Sequence, residues 1–157
     1  TRSLDMQIIV DDLTGIEVFN LLNEHLQDMY ATSPAESVHA LDISKLQAPD
    51  ITFWTLWHCD KLAGCGALKT LNSHEAEIKS MRTATEFRRM GVGSMMLSHI
   101  IAEAKARKLE TLYLETGSVA YFQPAVAMYQ RFGFEICEPF ADYVSDPFSI
   151  FMKKALN

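Results

Sequence analysis

Apolar residues along the chain follow two spacings, and the alternation between them predicts a mixed α/β fold. Apolar and polar residues alternate at 51–58 and 75–83, which predicts strands there, and further strands are predicted at 4–10, 62–71, 110–115, 134–137 and 148–152. Apolar residues three or four positions apart predict helices at 14–33, around 44–47, at 91–107 and at 125–132. The strands over 51–83 predict an antiparallel meander, and the strand–helix–strand order after them predicts one mixed sheet with helices packed on it.

Local signals predict the two ends of the first helix. Thr14 is followed three residues later by Glu17, which is the pattern of a capping box and predicts a helix start at Thr14. Ser33-Pro34 predicts its end, because proline cannot continue a helix.

Length and charge restrict the class of protein. The chain has 157 residues, which is typical of a single domain, here 1–157. It carries 20 acidic against 14 basic residues, for a net charge of −6. This balance argues against sequence-independent binding of nucleic acid, which needs a basic face. It is compatible with a local basic pocket for one small anion.

The cysteines, the histidines and the hydropathy indicate where the protein is located and whether it binds a metal. Cys59, Cys65 and Cys137 cannot all pair, so we expect a reducing, cytoplasmic setting in which they serve as small core residues. No apolar run approaches the roughly 18 residues that span a bilayer, so we expect no membrane segment. No Cys/His cluster has zinc spacing, so we expect no metal.

A glycine-containing turn before the 91–107 helix carries the clearest signal for a ligand. Gly91 and Gly93 allow a tight turn and close approach of a ligand to the backbone. The helix start offers unpaired N–H groups and a partial positive charge, to which Arg88 and Arg89 add full charges. The residues expected to hold a pyrophosphate are Arg88, Arg89, Met90, Gly91, Val92, Gly93 and Ser94. Walker A and Rossmann fingerprints are absent, and a plain turn with solvated arginines is the alternative.

Two segments resemble one known family in order and spacing. Arg88-x-x-Gly91-x-Gly93 is similar to a [QR]-x-x-G-x-[GA] signature, and the run 125–134 is similar to an A-x-x-x-Y-x-x-x-G-F segment. Both belong to the GCN5-related N-acetyltransferases, the GNAT superfamily. The resemblance implies an α/β fold with a central, mostly antiparallel sheet and helices on both faces.

The resemblance also implies an activity: an N-acetyltransferase that moves the acetyl group of acetyl-CoA to a primary amine by direct attack in a ternary complex. Met81 and Thr83 stand where the family pairs its backbone with the pantetheine arm. Tyr129 stands at the position of the family's general acid, which also contacts the cofactor; a core aromatic is the alternative. Phe122 stands where many members have an Asn that contacts the cofactor, and its ring could pack on the pantetheine instead.

Glu77 is the candidate general base, because its distance from Arg88 resembles that of the strand glutamate in histone acetyltransferases of this superfamily. It would need a raised pKa or a water relay to accept a proton from an alkylammonium. A solvated strand residue is the alternative, and Glu115 and His74 are other candidates for the base.

The acceptor is expected to be a cationic amine of a small molecule or peptide, such as a polyamine, an aminoglycoside or a lysine-bearing peptide. The segments expected to form its site are 25–50, 70–76 and 138–149, and they are rich in carboxylates. These are Asp28, Glu36, Asp42, Asp50, Glu75, Glu138, Asp142 and Asp146, opposed by Lys45. A non-catalytic acetyl-CoA sensor and an ATP-binding protein are the alternative functions, and pairing of edge strands could form a homodimer.

Overall fold

The computed structural model describes residues 6–34 and 43–156, which form one seven-stranded sheet. The strands are β1 (Met6–Val10), β2 (Ile51–His58), β3 (Lys61–Thr70), β4 (Glu75–Thr83), β5 (Thr111–Gly117), β6 (Glu135–Cys137) and β7 (Ser149–Ala155). Their order is β1-β2-β3-β4-β5-β7-β6, and β4–β5 is the parallel pair of the described sheet. The mostly antiparallel mixed sheet and the β2–β4 meander are therefore confirmed.

The helices also follow the predicted order. They are α1 (Ile16–Thr32), α2 (Ile43–Leu46), α3 (Val92–Ala106) and α4 (Gln123–Arg131). Two 3₁₀ turns, Thr85–Phe87 and Ala120–Phe122, were not expected from the apolar pattern. β5 and β7 are longer than predicted because they pair with each other along their whole length, from Thr111 opposite Ala155 to Gly117 opposite Ser149. Positions 4 and 5 of the first predicted strand lie outside the described residues.

The predicted capping box at the start of α1 is wrong. Gly15 is the N-cap residue and makes no side-chain cap, and the helix begins at Ile16. Asp12 accounts for the difference, because its carboxylate accepts hydrogen bonds from both the backbone N–H and the hydroxyl of Thr14. The Thr14 side chain is thereby engaged in a local turn before the helix.

Helices cover both faces of the sheet. α1 and α2 pack on one face, where Val18 and Leu46 meet Phe53 and Ala67, while α3 and α4 pack on the other. α3 comes very close to β3, since a Cβ at Gly66 would lie 2.8 Å from Met96 Cγ. Within the described ranges, no helix is long and apolar enough to cross a membrane.

Candidate active site: a fork between two strands

The central feature of the site is a fork between β4 and β5. The two strands pair only as far as Ile78 opposite Leu114, although β5 continues along β7 and β4 continues along β3. A register shift in the β3–β4 pair and a positive φ of 56° at Ser80 mark a bulge in β4 just beyond the last pair. Since a bulge bends its strand, this one accounts for the separation of β4 from β5. Segment 79–83 therefore has β3 on one side and no strand partner among the described residues on the other.

A cavity of about 120 Å³ lies in this fork. β4 contributes Lys79, Ser80 and Met81 to its wall, and β5 contributes Glu115 and Gly117. The remaining wall comes from α1, α4, the second 3₁₀ turn and the start of β7, through His25, Met29, Ser33, Phe122, Ala125, Tyr129, Phe148 and Ser149. Three of the expected site residues, Met81, Phe122 and Tyr129, thus meet at one cavity.

Tyr129 is almost wholly buried in the wall of the cavity. Its ring packs edge-on against Phe134 with the centroids 5.7 Å apart, and its side chain is 5% exposed. Burial raises the pKa of the Tyr129 hydroxyl above its usual value. Within the described part of the chain, this hydroxyl has no hydrogen-bond partner. A phenol in this setting stays protonated and has its O–H available to a ligand in the cavity.

Phe122 shapes the same wall from the 3₁₀ turn. Its ring lies directly on Gly117, so that any side chain at position 117 would overlap the ring. Tyr121 packs edge-on against Phe122 with the centroids 5.0 Å apart. The aromatic residue at position 122 is therefore held in place at the cavity.

Glu77 lies on the sheet face opposite α3 and does not line the cavity. Its carboxylate accepts hydrogen bonds from Lys79 Nζ at 3.0 Å and from the Tyr143 hydroxyl at 2.6 Å, and Lys79 also donates to that hydroxyl at 2.8 Å. The side chain of Glu77 is only 4% exposed. The alternative of a solvated strand residue is therefore wrong, because Tyr143 and Lys79 cover the carboxylate.

The glycine turn has the geometry of an anion site. Gly91 is the N-cap residue of α3 with φ +80°. Apart from its two chain neighbours, no described residue has an atom within 4 Å of where its Cβ would be. Arg88, Arg89 and Met90 are exposed beside it. Val92 points into the core, so its contribution is limited to its backbone. Because the helix start is open and carries unpaired N–H groups, it suits a phosphate.

The turn also adjoins the end of β4. A Cβ at Gly93 would lie 3.2 Å from Met128 Sδ and 3.8 Å from Thr83 Oγ1. Ser94 lies further along, in an apolar groove against β1 and β2 that it shares with Met95 and His99. The turn is thus continuous with the forked segment 79–83, while the Ser94 side chain lies away from the fork.

Two cations of the same region are already paired. Arg82 Nη1 donates to Asp28 Oδ2 at 2.6 Å, and Tyr121 donates to the same oxygen at 2.9 Å. Burial would raise the pKa of Asp28, but the hydrogen bonds from Arg82 and Tyr121 outweigh it and hold this pKa below its usual value. Lys79 is paired with Glu77. Arg88 and Arg89 are therefore the cations of this region that are open to an anionic ligand.

His25 is a cavity residue for which the sequence contained no motif. It projects from α1 toward the fork, and burial, assisted by the charge of Arg82, lowers its pKa from 6.5 to about 4. Its imidazole is therefore neutral near pH 7. The helical spacing could have indicated this position. Leu21 is buried, and His25 lies one helical turn after it on the same side of α1.

Replacing His25 should reduce the acid sensitivity of the fold. The folded pKa of about 4 lies below the 6.5 of the unfolded chain, so the unfolded state binds more protons between these values. The free energy of unfolding should therefore fall by about 1–2 kcal/mol as the pH drops through this window, less than the full shift gives because the ring is partly accessible to solvent. Urea unfolding at pH 7.5 and 4.5 should show a smaller drop for His25→Asn than for the wild type. Equal drops would contradict the burial of a neutral imidazole.

The other candidates for the base differ in position. Glu115 lines the cavity, and its Oε2 accepts a hydrogen bond from Ser149 Oγ at 2.7 Å. His74 lies outside the cavity, exposed and 3.3 Å from Glu110. Cys137, which we expected to be a small core residue, is half-buried outside the cavity, where burial raises the pKa of its thiol against the opposing charge of Lys153.

Those of the carboxylates expected around the acceptor that the structure describes do not gather at the fork. Asp28 is paired with Arg82, and Glu75 accepts hydrogen bonds from Tyr113 and Asn72. Asp146 accepts the backbone N–H of Phe148. Asp50, Glu138 and Asp142 line a separate pocket beside Lys69 and Lys153. Glu36 and Asp42 lie outside the described residues, and no metal-binding group of His, Cys, Asp or Glu is found in the rest.

Relatives of the chain carry names that agree with this arrangement. The uncharacterized N-acetyltransferase YsnE of Bacillus subtilis is 56% identical over 151 residues, covering 96% of this chain and 100% of its own. The uncharacterized N-acetyltransferase YedL of Escherichia coli is 48% identical, covering 95% of this chain and 94% of its own.

Solved structures share the fold. A Klebsiella pneumoniae protein, provisionally named an acyl-CoA N-acyltransferase, has a TM-score of 0.77 at 26% identity and covers 98% of this chain and 99% of its own. A GNAT family acetyltransferase from Elizabethkingia anophelis with acetyl-CoA bound has a TM-score of 0.69 at 18% identity, over 97% and 99%.

The forked sheet, the glycine turn and these relatives define the class of protein as an acetyltransferase. Residues 16–134 match the Acetyltransferase (GNAT) family, and the chain belongs to that family.

Proposed function

We propose that the protein transfers the acetyl group of acetyl-CoA to a primary amine, with both substrates bound together at the fork between β4 and β5. The observation that carries this proposal is the end of β4–β5 pairing at Ile78 and Leu114, with a cavity at that point. A sheet that opens in this way leaves backbone groups of one strand available to a ligand. Acetyl-CoA would supply the activated acetyl group.

The residues present fit a long anionic thioester. The open turn at Gly91, flanked by Arg88 and Arg89, suits the pyrophosphate, and the space around a Cβ at Gly91, free of described atoms other than those of its chain neighbours, leaves room for it. Segment 79–83, which includes Met81 and Thr83, offers backbone to the pantetheine arm. Phe122 offers an aromatic face at the position where many family members have an Asn.

Tyr129 is proposed as the general acid. In the reaction the amine nitrogen forms a bond to the acetyl carbon, the carbon–sulfur bond breaks, and sulfur leaves as a thiolate. The thiolate takes the phenolic proton, and the proton that the acetylated nitrogen then loses restores the Tyr129 hydroxyl. The buried hydroxyl suits this role because it lines the cavity and is protonated.

Glu77 is proposed as the general base, reached from the cavity through a water or through Tyr143. Its carboxylate accepts the hydrogen bond of Tyr143, and its partner Lys79 lines the cavity. The acceptor reaches the site as an ammonium and must lose that proton before attack. A buried carboxylate next to the fork could accept it.

The role of Glu77 can be tested by its pH dependence. Glu77→Gln should lower kcat/KM by about 10²-fold near pH 7, and the defect should shrink as the pH approaches the pKa of the amine, because the free amine then needs no base. Glu75→Gln is the matched control, since Glu75 lies on the same face of β4 but outside the cavity. A defect of constant size across the pH range would assign Glu77 a structural role instead.

The proposed reaction is tested by incubating the protein with acetyl-CoA and a panel of amines while free thiol is measured. We expect thiol release that depends on the amine, together with an acetylated amine in the mass spectrum. Tight binding of acetyl-CoA without thiol release for any amine would favour a sensor instead. Binding of ATP more tightly than acetyl-CoA in calorimetry would contradict the assigned donor.

The nature of the acceptor, the oligomeric state and the location stay predictions. The acceptor is proposed to be cationic at its reacting group, a protonated amine of a small molecule or peptide. Homodimer formation through an edge strand could use β6, where Ile136 is exposed. A cytoplasmic location agrees with three free cysteines.

A further inference from the structure

The inner side of α1 forms one wall of the fork cavity. His25, Met29 and Ser33 follow each other at intervals of four residues, so they lie on the same side of the helix, and all three line the cavity. Met29 provides apolar surface, whereas His25 provides two ring nitrogens that can form hydrogen bonds. Neither the proposed donor site nor the proposed acid and base make use of His25.

The ring nitrogens of His25 have no hydrogen-bond partner within the described ranges 6–34 and 43–156, and its pKa responds only to burial and to the charges of Arg82 and Asp28. His58 and His99 differ from it, because each has a ring nitrogen that is enclosed by protein without a partner. Those of His25 are accessible through the cavity that the ring lines. Since polar atoms without a partner are costly in a half-buried place, this ring favours a ligand that hydrogen-bonds to it.

The charge state of His25 suits an amine. Burial, assisted by the charge of Arg82, lowers its pKa to about 4, so the ring is neutral near pH 7. One nitrogen of a neutral imidazole carries a proton and donates, and the other accepts. The accepting nitrogen can bind an N–H group of an amine, and a neutral ring does not repel an ammonium that enters the cavity.

The place of His25 beside the fork is fixed by β4. Arg82 Nη1 donates to Asp28 Oδ2 at 2.6 Å, and Asp28 follows His25 by about one helical turn. The side chain of Arg82 is only 7% exposed, and the hydroxyl of Tyr121 donates to the same carboxylate oxygen at 2.9 Å. These contacts tie α1 to the forked segment 79–83, so the ring of His25 is positioned before a ligand arrives.

His25 reaches the cavity from the sheet face opposite the glycine turn. α1 packs with α2 on one face, while α3, which begins at the turn, packs with α4 on the other. A donor held by the turn, with its sulfur near Tyr129 of α4, would occupy the α3 side of the fork. The α1 side is thereby left to the acceptor.

We propose that His25 binds the acceptor by accepting a hydrogen bond from the reacting amine nitrogen. This inference rests on the proposed acetyl transfer and adds a residue to its acceptor site. Once the ammonium has lost its proton, a primary amine has two N–H groups and one lone pair. A hydrogen bond from one N–H group to His25 leaves the lone pair for the acetyl carbon and restricts the orientation of the nucleophile.

The test measures the acceptor and the donor separately. The amine with the fastest thiol release is first chosen from 2-phenylethylamine, spermidine, kanamycin and a lysine-containing peptide. His25→Leu removes both ring nitrogens and should lower kcat/KM for this amine by about 10-fold, the effect of one hydrogen bond. Affinity for CoA, measured by calorimetry, should not change because the donor lies on the other side of the fork.

Two further variants distinguish a hydrogen bond from packing. His25→Asn keeps one donor and one acceptor and should recover much of the loss seen in His25→Leu. Asn23→Leu is the matched control, since Asn23 is exposed on α1 and lies outside the cavity, and it should behave as the wild type. Circular dichroism shows whether each variant is folded.

A measurement on the wild type keeps the test independent of folding of the variants. With isotope-labelled histidine, CoA bound and the ring resonances assigned through the side-chain carbons, addition of the chosen amine should shift the ring nitrogens of His25 in the NMR spectrum. Those of His74, which is exposed outside the cavity, should not shift. Unshifted His25 nitrogens in the presence of saturating amine would overturn the contact.

The outcomes separate this inference from the proposed function. No thiol release from any amine would overturn both. Thiol release with unchanged kcat/KM in His25→Leu, or with equal losses in His25→Leu and His25→Asn, would overturn the hydrogen bond and leave acetyl transfer standing. A loss of CoA affinity in His25→Leu would place His25 on the donor side and overturn its role for the acceptor.

Discussion

Tyr129→Phe should lower turnover by about 10²–10⁴-fold, the usual contribution of a general acid. The ring should stay in place because its packing against Phe134 does not involve the hydroxyl, and that hydroxyl has no partner within the described residues. Affinity for acetyl-CoA should therefore change little. Steady-state thiol release gives the rate, and calorimetry with CoA gives the affinity.

Tyr113→Phe is the matched control for this substitution. Tyr113 donates to Glu75 at 3.0 Å and lies outside the fork cavity, so loss of its hydroxyl should not affect turnover. Because burial raises the pKa of Tyr129, the wild-type rate should also show no loss from ionisation of this phenol up to about pH 10, its usual pKa. An unchanged rate in Tyr129→Phe would remove Tyr129 from the mechanism.

Gly91→Glu should abolish binding of acetyl-CoA. A side chain at this position enters the open space before α3, and its carboxylate would place a negative charge where the helix start and Arg88 favour an anion. Like charges would then oppose each other at the site proposed for the pyrophosphate. Calorimetry with CoA measures the loss.

Gly91→Gln separates charge from backbone strain. Any residue other than glycine at φ +80° is strained, so both variants share the same cost to the fold, which thermal unfolding measures. The Gln variant should bind CoA more weakly than the wild type but measurably, and more tightly than the Glu variant. Retention of CoA affinity in Gly91→Glu would discredit the turn as the anion site.

Local pattern was enough to predict the strands, α3 and the glycine turn. The helical spacing of Val92, Met96 and Ile100 corresponds to side chains that are all buried against the sheet. Two glycines before an amphipathic helix predict a tight turn, because the backbone conformation that they allow depends on neighbouring residues alone. The same applies to the family motifs, which lie in short continuous segments.

Local sequence patterns could not predict which charged side chains pair with each other. Lys79 and Arg82 lie close to Arg88 and Arg89 in the sequence, yet Lys79 binds Glu77 and Tyr143, and Arg82 binds Asp28. Asp28 and Arg82 are far apart in the chain and meet because α1 packs on the face of β4. The net charge of a segment therefore did not indicate which cations are open to a ligand.

The sequence by itself determined most of the elements, the family and the glycine turn that is proposed to bind the pyrophosphate, since each depends on residues close together in the chain. Only the tertiary structure decided where β4 leaves β5, that Tyr129 and His25 share one cavity, and that Glu77 is buried beneath Tyr143 and Lys79. The physical reason is that burial and ion pairing depend on which elements pack together. The spacing of apolar residues along a strand or helix shows which of its faces is buried. It does not show which other element packs against that face, and that packing determines burial and charge pairing.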